Sequence, residues 1–169
     1  MKLNYLTILL ALLLYNCSHK KEKDAINFEN WSKRKVHAPL KDSLEYGKSY
    51  LSIYSEIYSF TESKKISLTS MISLRNTSDL DTIYLLKAEY FDTEGESIRK
   101  YFDFPIFLKP LETAEIIIDE VDVTGGTGSN FIFEWKTPKH CPEPIFEAVM
   151  SSTMSQQGLS FITQSKRIK

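Results

Sequence analysis

The chain contains two thiols, Cys17 and Cys141, and thiols are the most nucleophilic groups that it offers. Cys141 follows His140, and a thiol near an imidazole is a combination used in nucleophilic catalysis and in metal binding. Adjacent side chains of an extended backbone point in opposite directions, so we do not expect this pair to act together. The other two histidines lie far upstream, in the first forty residues. We therefore predict no catalytic residue and no metal site here, only a free exposed thiol open to oxidation.

A glycine-rich stretch from Gly125 to Asn130 is the second candidate. A phosphate-binding P-loop needs a lysine at the start of a helix, whereas this stretch has no lysine and precedes a predicted strand. We expect a tight loop whose backbone amides are able to bind an anion or a carboxylate. Other polar residues are predicted near strand ends and, with this loop, form a hypothetical recognition patch. The candidate residues of this patch are Arg75, Asn76, Gly125, Gly126, Asn130, Gln156 and Gln157.

Acidic residues precede the same loop at Asp119, Glu120 and Asp122. Their spacing does not match a calcium-binding EF-hand loop, so we interpret them as a charged strand end without a metal. A serine hydrolase motif is absent from the sequence. A carboxylate pair that cleaves glycosidic bonds remains an open alternative, because such a pair has no fixed sequence spacing.

Cys17 ends an N-terminal segment with the features of an export signal. A basic start at Lys2 leads into an apolar run from Leu6 to Leu14, and a lysine-rich stretch follows the cysteine. Residues 1–16 with Cys17 resemble a bacterial lipoprotein signal, in which the cysteine is acylated, with palmitate for example, and becomes the first mature residue. A membrane-spanning helix needs about 20 apolar residues, and this run is shorter. A secretory signal cleaved without lipid attachment is the alternative.

The predicted anchor implies a location and a first partner. We expect an exported protein of the bacterial cell envelope, held to a membrane by its N-terminal lipid on the periplasmic or the surface side. Several acyl chains on one cysteine would make this attachment stable, since a single chain binds only marginally. The net charge of −1 gives no reason to expect a nucleic-acid partner. No motif indicates a cofactor.

Removal of residues 1–16 leaves 153 residues, which suits one domain. Residues 17–47 are rich in charged and polar side chains and are predicted to form a flexible tether, on which Trp31 is able to dock or to form a short helix. Residues 48–169 form the predicted domain. Cys141 is its single cysteine, so its fold must rest on packing rather than on an internal disulfide.

Short runs of alternating apolar residues predict strands throughout this domain. One strand is expected from Ile66 to Leu74, and Phe131, Phe133 and Trp135 should share one face of another. Prolines 105 and 110 bracket a short edge segment. Further strands are predicted at Ile83–Phe91, Ser97–Phe102, Ala114–Ile118, Ile145–Ser151 and Leu159–Thr163. About eight strands predict an all-β fold, a single β-sandwich of immunoglobulin-like size, with a small β-barrel as the alternative.

Seven strings of the domain carry a resemblance: residues 73–77, 90–92, 108–111, 125–131, 134–135, 147–150 and 155–161. Together they resemble one bacterial family, the domain of unknown function numbered 3124, whose members are often predicted to be exported or lipid-anchored. The resemblance covers roughly Tyr50 to the C-terminus and implies one small β-rich domain behind an export signal. It brings no established activity and no site residue.

The sequence favours a non-enzymatic binding or structural module that presents its domain to an envelope protein or a polysaccharide. This hypothesis follows from the predicted anchor and from the absence of a catalytic motif. Two alternatives belong to other classes. A hydrolase of envelope polymers would use a carboxylate pair, and a carrier of a small apolar ligand would need a closed barrel with an unfilled interior.

Overall fold

The structure is a computed structural model and describes residues 29–153 and 158–169. These residues form an all-β fold, as the alternating pattern predicts. One short 3-10 helix, Trp31–Arg34, precedes the strands. The strands are β1 Glu45–Ser52, β2 Glu56–Ser59, β3 Thr61–Ser67, β4 Thr69–Arg75, β5 Ile83–Phe91, β6 Ser97–Phe102, β7 Ile106–Leu108, β8 Thr113–Ile118, β9 Asn130–Thr137, β10 Ile145–Ser152, β11 Leu159–Gln164 and β12 Lys166–Arg167.

Two main sheets face each other and make a sandwich. The six-stranded sheet has the order β12-β1-β9-β5-β6, with β7 also paired to β5. The four-stranded sheet has the order β11-β10-β4-β8, and β2 and β3 form a separate hairpin. All of these strand pairs are antiparallel. The sheets do not close into a barrel, so the sandwich prediction is confirmed and the barrel alternative is wrong.

The strand predicted from Ile66 to Leu74 is divided in two. β3 ends at Ser67 and β4 begins at Thr69, with Leu68 buried between them. The backbone amide of Leu68 donates to the carbonyl of Ser55, at 2.8 Å. The chain passes at this point from the separate hairpin into the four-stranded sheet. The alternation of apolar residues runs across the break, which is why it does not reveal the change of sheet.

Aromatic rings fill the space between the sheets. Phe131 and Phe133 project inward from β9, as predicted, and Tyr90 projects from the neighbouring strand β5. The ring of Phe131 stacks between Tyr90, at 4.9 Å, and Phe133, at 5.3 Å between centroids. Phe133 in turn lies 4.1 Å from the ring of Phe146 on β10 of the opposite sheet. A continuous aromatic stack therefore joins the two sheets.

The sandwich has two ends, which we name by what lies there. At the loop end lie the β5–β6 turn, the β2–β3 hairpin and the β8–β9 connection, residues 119–129. At the base end lie the turns after β4 and β9 and the start of β1. The strands between the two ends are six to nine residues long, so the ends are separated by about 20–30 Å.

Part of the predicted tether packs on the base end. The ring of Trp31 in the 3-10 helix lies 5.0 Å from the ring of Phe102 at the end of β6. Arg34 of the same helix pairs with Glu29 and with Glu112, each at 2.7 Å. β1 begins at Glu45, three residues before the predicted start of the domain. Residues 1–16 and Cys17, the predicted signal and lipid site, lie outside the described residues.

In the part of the chain that the structure describes, no helix is long and apolar enough to cross a membrane.

Trp135 sets a steric requirement on the strand beside it. Its buried indole Nε1 donates to the hydroxyl of Ser49 at 3.0 Å, and its ring lies against Gly47, its register partner on β1. A Cβ atom on Gly47 would lie only 2.2 Å from the indole ring. The ring of Trp135 occupies the volume that any other side chain at residue 47 would need.

We expect Gly47→Ala to destabilise the fold by about 1–3 kcal/mol, because the added methyl group overpacks a rigid indole. Urea unfolding followed by circular dichroism measures this change. Gly158→Ala is the matched control, since a Cβ atom there meets nothing within 4 Å, and its effect should stay within about 0.5 kcal/mol. Equal stabilities of the two variants would contradict this account of the Trp135 contact.

Candidate functional site

The β8–β9 loop is attached to the core through the hydroxyl of Tyr90. Tyr90 donates to the Ser129 hydroxyl at 3.2 Å, and the Ser55 hydroxyl lies 2.8 Å from the same phenolic oxygen. The Ser129 hydroxyl in turn donates a hydrogen bond to the carbonyl of Ile53, at 3.0 Å. Burial raises the pKa of Tyr90 above its usual range, so the phenol stays protonated. Gly125 lies so close that a Cβ atom on it would be 1.8 Å from the phenolic oxygen.

A second attachment joins this loop to the β5–β6 turn. The Thr93 hydroxyl donates to the carbonyl of Gly125 and accepts from the amide of Gly128, each at 3.0 Å. The carbonyl of Gly126 accepts the amides of Ser55 and Glu56 at the start of the β2–β3 hairpin, at 3.1 and 3.2 Å. Two of the loop amides, of Gly126 and Gly128, are thus used inside the protein. The loop is a tight connection, and these two amides are not arranged to hold a phosphate.

Asp122 closes the start of the same loop. Its carboxylate accepts from the Thr124 hydroxyl at 2.6 Å and from the Arg99 guanidinium of β6 at 2.8 Å. Burial alone would raise the pKa of Asp122, but the Thr124 and Arg99 hydrogen bonds outweigh it and hold the pKa below its usual range. The carboxylate is therefore charged near neutral pH and is neutralised by an arginine. A calcium ion at this position would have to compete with that guanidinium.

The β2–β3 hairpin carries two exposed aromatic side chains. Phe60 at its tip is 94 % exposed, and Tyr58 is 57 % exposed. Lys64 lies over the Phe60 ring at 5.4 Å, and Lys65 lies over the Tyr58 ring at 5.6 Å. Phe60 has a φ of 61°, a left-handed conformation that costs a residue with a Cβ roughly 1–2 kcal/mol. Stability of the fold alone gives no reason for a phenylalanine at this position.

Further apolar side chains are exposed at the loop end. Val121 is 89 % exposed, and Val123 is exposed on the same loop, on either side of the Asp122–Arg99 pair. Leu159 is exposed where β11 begins, also at the loop end. We name the set of Tyr58, Phe60, Val121, Val123 and Leu159 the apolar loop patch.

The structure does not bring all of the predicted site residues together. Gly125, Gly126 and Asn130 lie at the loop end, where Asn130 opens β9 and pairs with Ser52 and Phe91. Gln156 and Gln157 lie outside the described residues. Arg75 and Asn76 lie at the base end, a strand length away.

The two base-end residues have structural partners. The Asn76 amide donates to the carbonyls of Asp81, Leu108 and Lys109, at 2.7, 3.1 and 2.9 Å. Its side-chain oxygen accepts the amide of Ser78 at 3.0 Å. Asn76 is buried and therefore fastens the turn before β5. Arg75 pairs with Glu147 on the neighbouring strand β10 at 2.8 Å.

Cys141 is less exposed than predicted. Its side chain is half-buried and packs against the core, and its thiol donates to the carbonyl of Pro142 at 3.4 Å. Burial raises the pKa of Cys141, which lowers the fraction of reactive thiolate. The prediction of a free exposed thiol is therefore wrong on exposure, although the thiol is free. Among the described residues, no three histidine, cysteine or acidic side chains meet in a group able to hold a metal.

The carboxylates with a perturbed pKa do not resemble the general acid of a glycosidase, which needs a raised pKa. In Glu89, burial alone would raise the pKa, but hydrogen bonds from Lys87 and Ser97 lower it below the usual range. In Glu112, burial is likewise outweighed, here by the Lys109 amide and by Arg34. Asp122 follows the same direction. These three groups are salt-bridge partners that stay charged.

A shallow groove of about 470 Å³ lies at the base end. Residues 36–44, which lead into β1, form one wall of it, and Tyr84 and Pro138 belong to the other. Its lining is mostly apolar, with lysines at residues 41 and 139. Ser43 and Tyr84 are further polar residues of its lining.

Sequence reasoning missed the apolar loop patch. The even spacing of Tyr50, Tyr54 and Tyr58 suggests a single tyrosine row, but the three residues lie on different elements. Tyr54 packs edge-on against Phe161, at 5.7 Å, whereas Tyr58 belongs to the exposed hairpin. Val121 and Val123 alternate with acidic residues and give no periodic signal. The one sequence signal for the hairpin tip is Phe60, a phenylalanine that lies between two short polar segments.

The fold and these contacts define a class: a β-sandwich without a described catalytic or metal centre, whose ordered loop end exposes apolar side chains. The chain belongs to the family described as protein of unknown function, DUF3124, whose model matches residues 46–168. The resemblance found in the sequence is thereby confirmed. Comparison with curated proteins gives no match. The crystal structure of Thermotoga maritima 1070 is similar over 71 % of this chain and 92 % of that chain, with a TM-score of 0.45 and 8 % identity.

We expect Thr93→Val to loosen the β8–β9 loop, because valine keeps the shape of threonine and removes both hydrogen bonds of its hydroxyl. The free energy of unfolding should fall by about 1 kcal/mol, and the hydrogen of the Gly128 amide should exchange with solvent faster. Hydrogen exchange followed by NMR measures this rate. Thr93→Ser keeps the hydroxyl and should leave the exchange rate near that of the parent. An unchanged Gly128 rate in Thr93→Val would show that the hydroxyl does not hold the loop.

Proposed function

We propose that this protein is a lipid-anchored binding module of the bacterial cell envelope that recognises a partner protein through the apolar loop patch. It acts without chemical conversion of the partner. The fold supports this proposal in its coarse form, since a β-sandwich with structurally engaged polar groups suits binding rather than catalysis. The anchor, the envelope location and the partner are the finer parts of the proposal.

One observation carries the binding role: exposed aromatic and aliphatic side chains stand on loops that are themselves fixed by hydrogen bonds. Phe60 and Val121 are almost fully exposed, while the adjoining loop is attached through Tyr90 and Thr93. A fixed surface loses little conformational entropy on binding. Exposed apolar side chains contribute little to the stability of the free protein. They contribute favourable free energy when a partner buries them.

The chemistry of the patch favours a protein partner over a polysaccharide. Val121, Val123 and Leu159 offer only aliphatic contact, and they are as much a part of the patch as its two rings. Aromatic residues such as Tyr58 and Phe60 are enriched at the core of protein interfaces. Polysaccharides present many hydroxyl groups, which aliphatic side chains would leave without hydrogen bonds.

The path of the chain is compatible with presentation of the patch away from a membrane. Glu29 pairs with Arg34 of the 3-10 helix, and Arg34 pairs with Glu112 at the base end, opposite the patch. The eleven residues between Cys17 and Glu29 reach at most about 40 Å when extended. In the proposal, the chain from Cys17 joins the folded part at the base end, the end away from the patch.

Replacement of Cys17 by serine should release the protein from the membrane fraction, because it removes the acceptor of the acyl chains. Fractionation of cells followed by a carbonate wash measures this, with the parent chain as the membrane-bound reference. Cys141→Ser is the matched control and should stay with the membrane. Retention of Cys17→Ser in the washed membrane would refute lipid anchoring.

The photoreactive residue p-benzoylphenylalanine at Phe60 should cross-link the partner in intact cells, because it preserves the aromatic shape of the residue that it replaces. We expect discrete bands of higher mass on denaturing gels, as a protein partner gives. The same residue at Tyr50, on the outer face of the six-stranded sheet, is the control. A polydisperse smear would indicate polysaccharide, and equal adducts at both positions would contradict recognition by the patch.

A further inference from the structure

The last strand of the four-stranded sheet, β8, has one open edge. It pairs with β4 on one side, and no described strand pairs with it on the other. The amide of Asn76 donates to the carbonyl of Glu112 at 2.9 Å, one step beyond the register that these two strands share. Bonded and non-bonded pairs alternate along an antiparallel ladder, so the next residues that bond to β4 are Ala114, Ile116 and Ile118.

The residues between them, Thr113, Glu115 and Ile117, therefore direct their amide and carbonyl groups to the open edge. Among the described residues, no hydrogen bond reaches these outward backbone groups. The side chains of Glu115 and Ile117 are exposed on the outer face of the sheet. A row of free donors and acceptors with this spacing is complementary to the backbone of another strand.

The other edge strands of the sandwich have features that discourage pairing with a foreign strand. β12 is only two residues long, and both of them are basic. β6 carries Arg99 and Lys100, and two register shifts interrupt its pairing with β5. β11 is tied to the opposite sheet, because the Thr163 hydroxyl donates to the carbonyl of Ser52 at 2.7 Å. β8 contains no lysine, arginine or proline, and its register with β4 is unbroken.

Charge selects the occupant of this edge. Glu115, Asp119 and Glu120 lie in β8 or directly after it, and none of them forms an ion pair with a described residue. Arg75 on the neighbouring strand is already paired with Glu147. A second copy of β8 would bring further carboxylates to the edge, and like charges on neighbouring strands are destabilising. A strand with a basic residue opposite Glu115 would instead neutralise it.

We propose that β8 receives an extended segment of a partner protein as an additional strand of the four-stranded sheet. This segment has apolar side chains on the core side, beside Ile116 and Ile118, and a lysine or arginine opposite Glu115 on the outer face. Main-chain hydrogen bonds supply the affinity, and the alternating side chains decide which segment is accepted. The inference depends neither on the predicted lipid anchor nor on the apolar loop patch.

The test uses the full chain and three fluorescein-labelled synthetic strands, with binding followed by fluorescence anisotropy. The first strand consists of valine and threonine, with lysines placed to face Glu115 and Asp119. The second has the same sequence with methyl groups on the amides that would face β8, and the third has glutamate in place of each lysine. The first should bind at least about tenfold more tightly than the others, because the second cannot donate to β8 and the third repels it.

Substitutions in the chain test the same contact from the other side. Ile117→Pro removes an outward amide and no bond to β4, so it should weaken binding of the lysine strand at least about tenfold and leave the circular dichroism spectrum unchanged. Ile162→Pro is the matched control, because the Ile162 amide points away from β10 on the other edge strand of the sheet, β11. It should leave binding unchanged.

Glu115→Lys keeps the backbone edge and reverses its charge, so the glutamate strand should then bind more tightly than the lysine strand. Equal binding of the methylated and unmethylated strands, or an affinity that Ile117→Pro leaves unchanged, would overturn the proposal. A preference that Glu115→Lys fails to reverse would do the same. Sedimentation velocity that shows a dimer of the full chain, lost in Ile117→Pro, would place a second copy at the edge and also overturn it.

Discussion

The contact between Phe133 and Phe146 is the interaction on which the sandwich depends. The two rings lie 4.1 Å apart and belong to different sheets, so their stacking holds the sheets face to face. Phe131 and Tyr90 continue the stack within the six-stranded sheet. Tyr90 connects this stack to the surface, because its hydroxyl donates to Ser129 and thereby holds the β8–β9 loop. The order of the loop end is therefore a consequence of how the core is packed.

The sequence predicts local elements well where one face of a strand is buried. The bounds of β5, the inward face of β9 and the short β7 between two prolines all agree with the pattern, since each depends on nearby residues alone. The break at Leu68 could not be predicted, because burial continues while the chain changes sheets. The pairing of β1 with β9 depends on residues far apart in sequence, which periodicity does not report.

The candidate site was predictable only in part, for a physical reason. Polar residues at strand ends look alike in sequence whether they fasten a turn or face a partner. Asn76 makes four hydrogen bonds to backbone groups, a role that becomes visible only when the turn is folded. Large apolar residues are expected to lie in the core, so the exposure of Phe60 and Val121 was not predicted. Exposure is a property of the assembled fold, and no single stretch of sequence encodes it.

The position of β1 has a consequence for how the chain reaches its folded state. β1 lies between β9 and β12, and Ser49 pairs with both Phe133 and Arg167. β1 is synthesised early, whereas its partners β9 and β12 follow much later in the chain. Pairings between segments so distant in sequence form slowly, because a long loop must close first. The six-stranded sheet therefore stays incomplete until both β9 and β12 have been made.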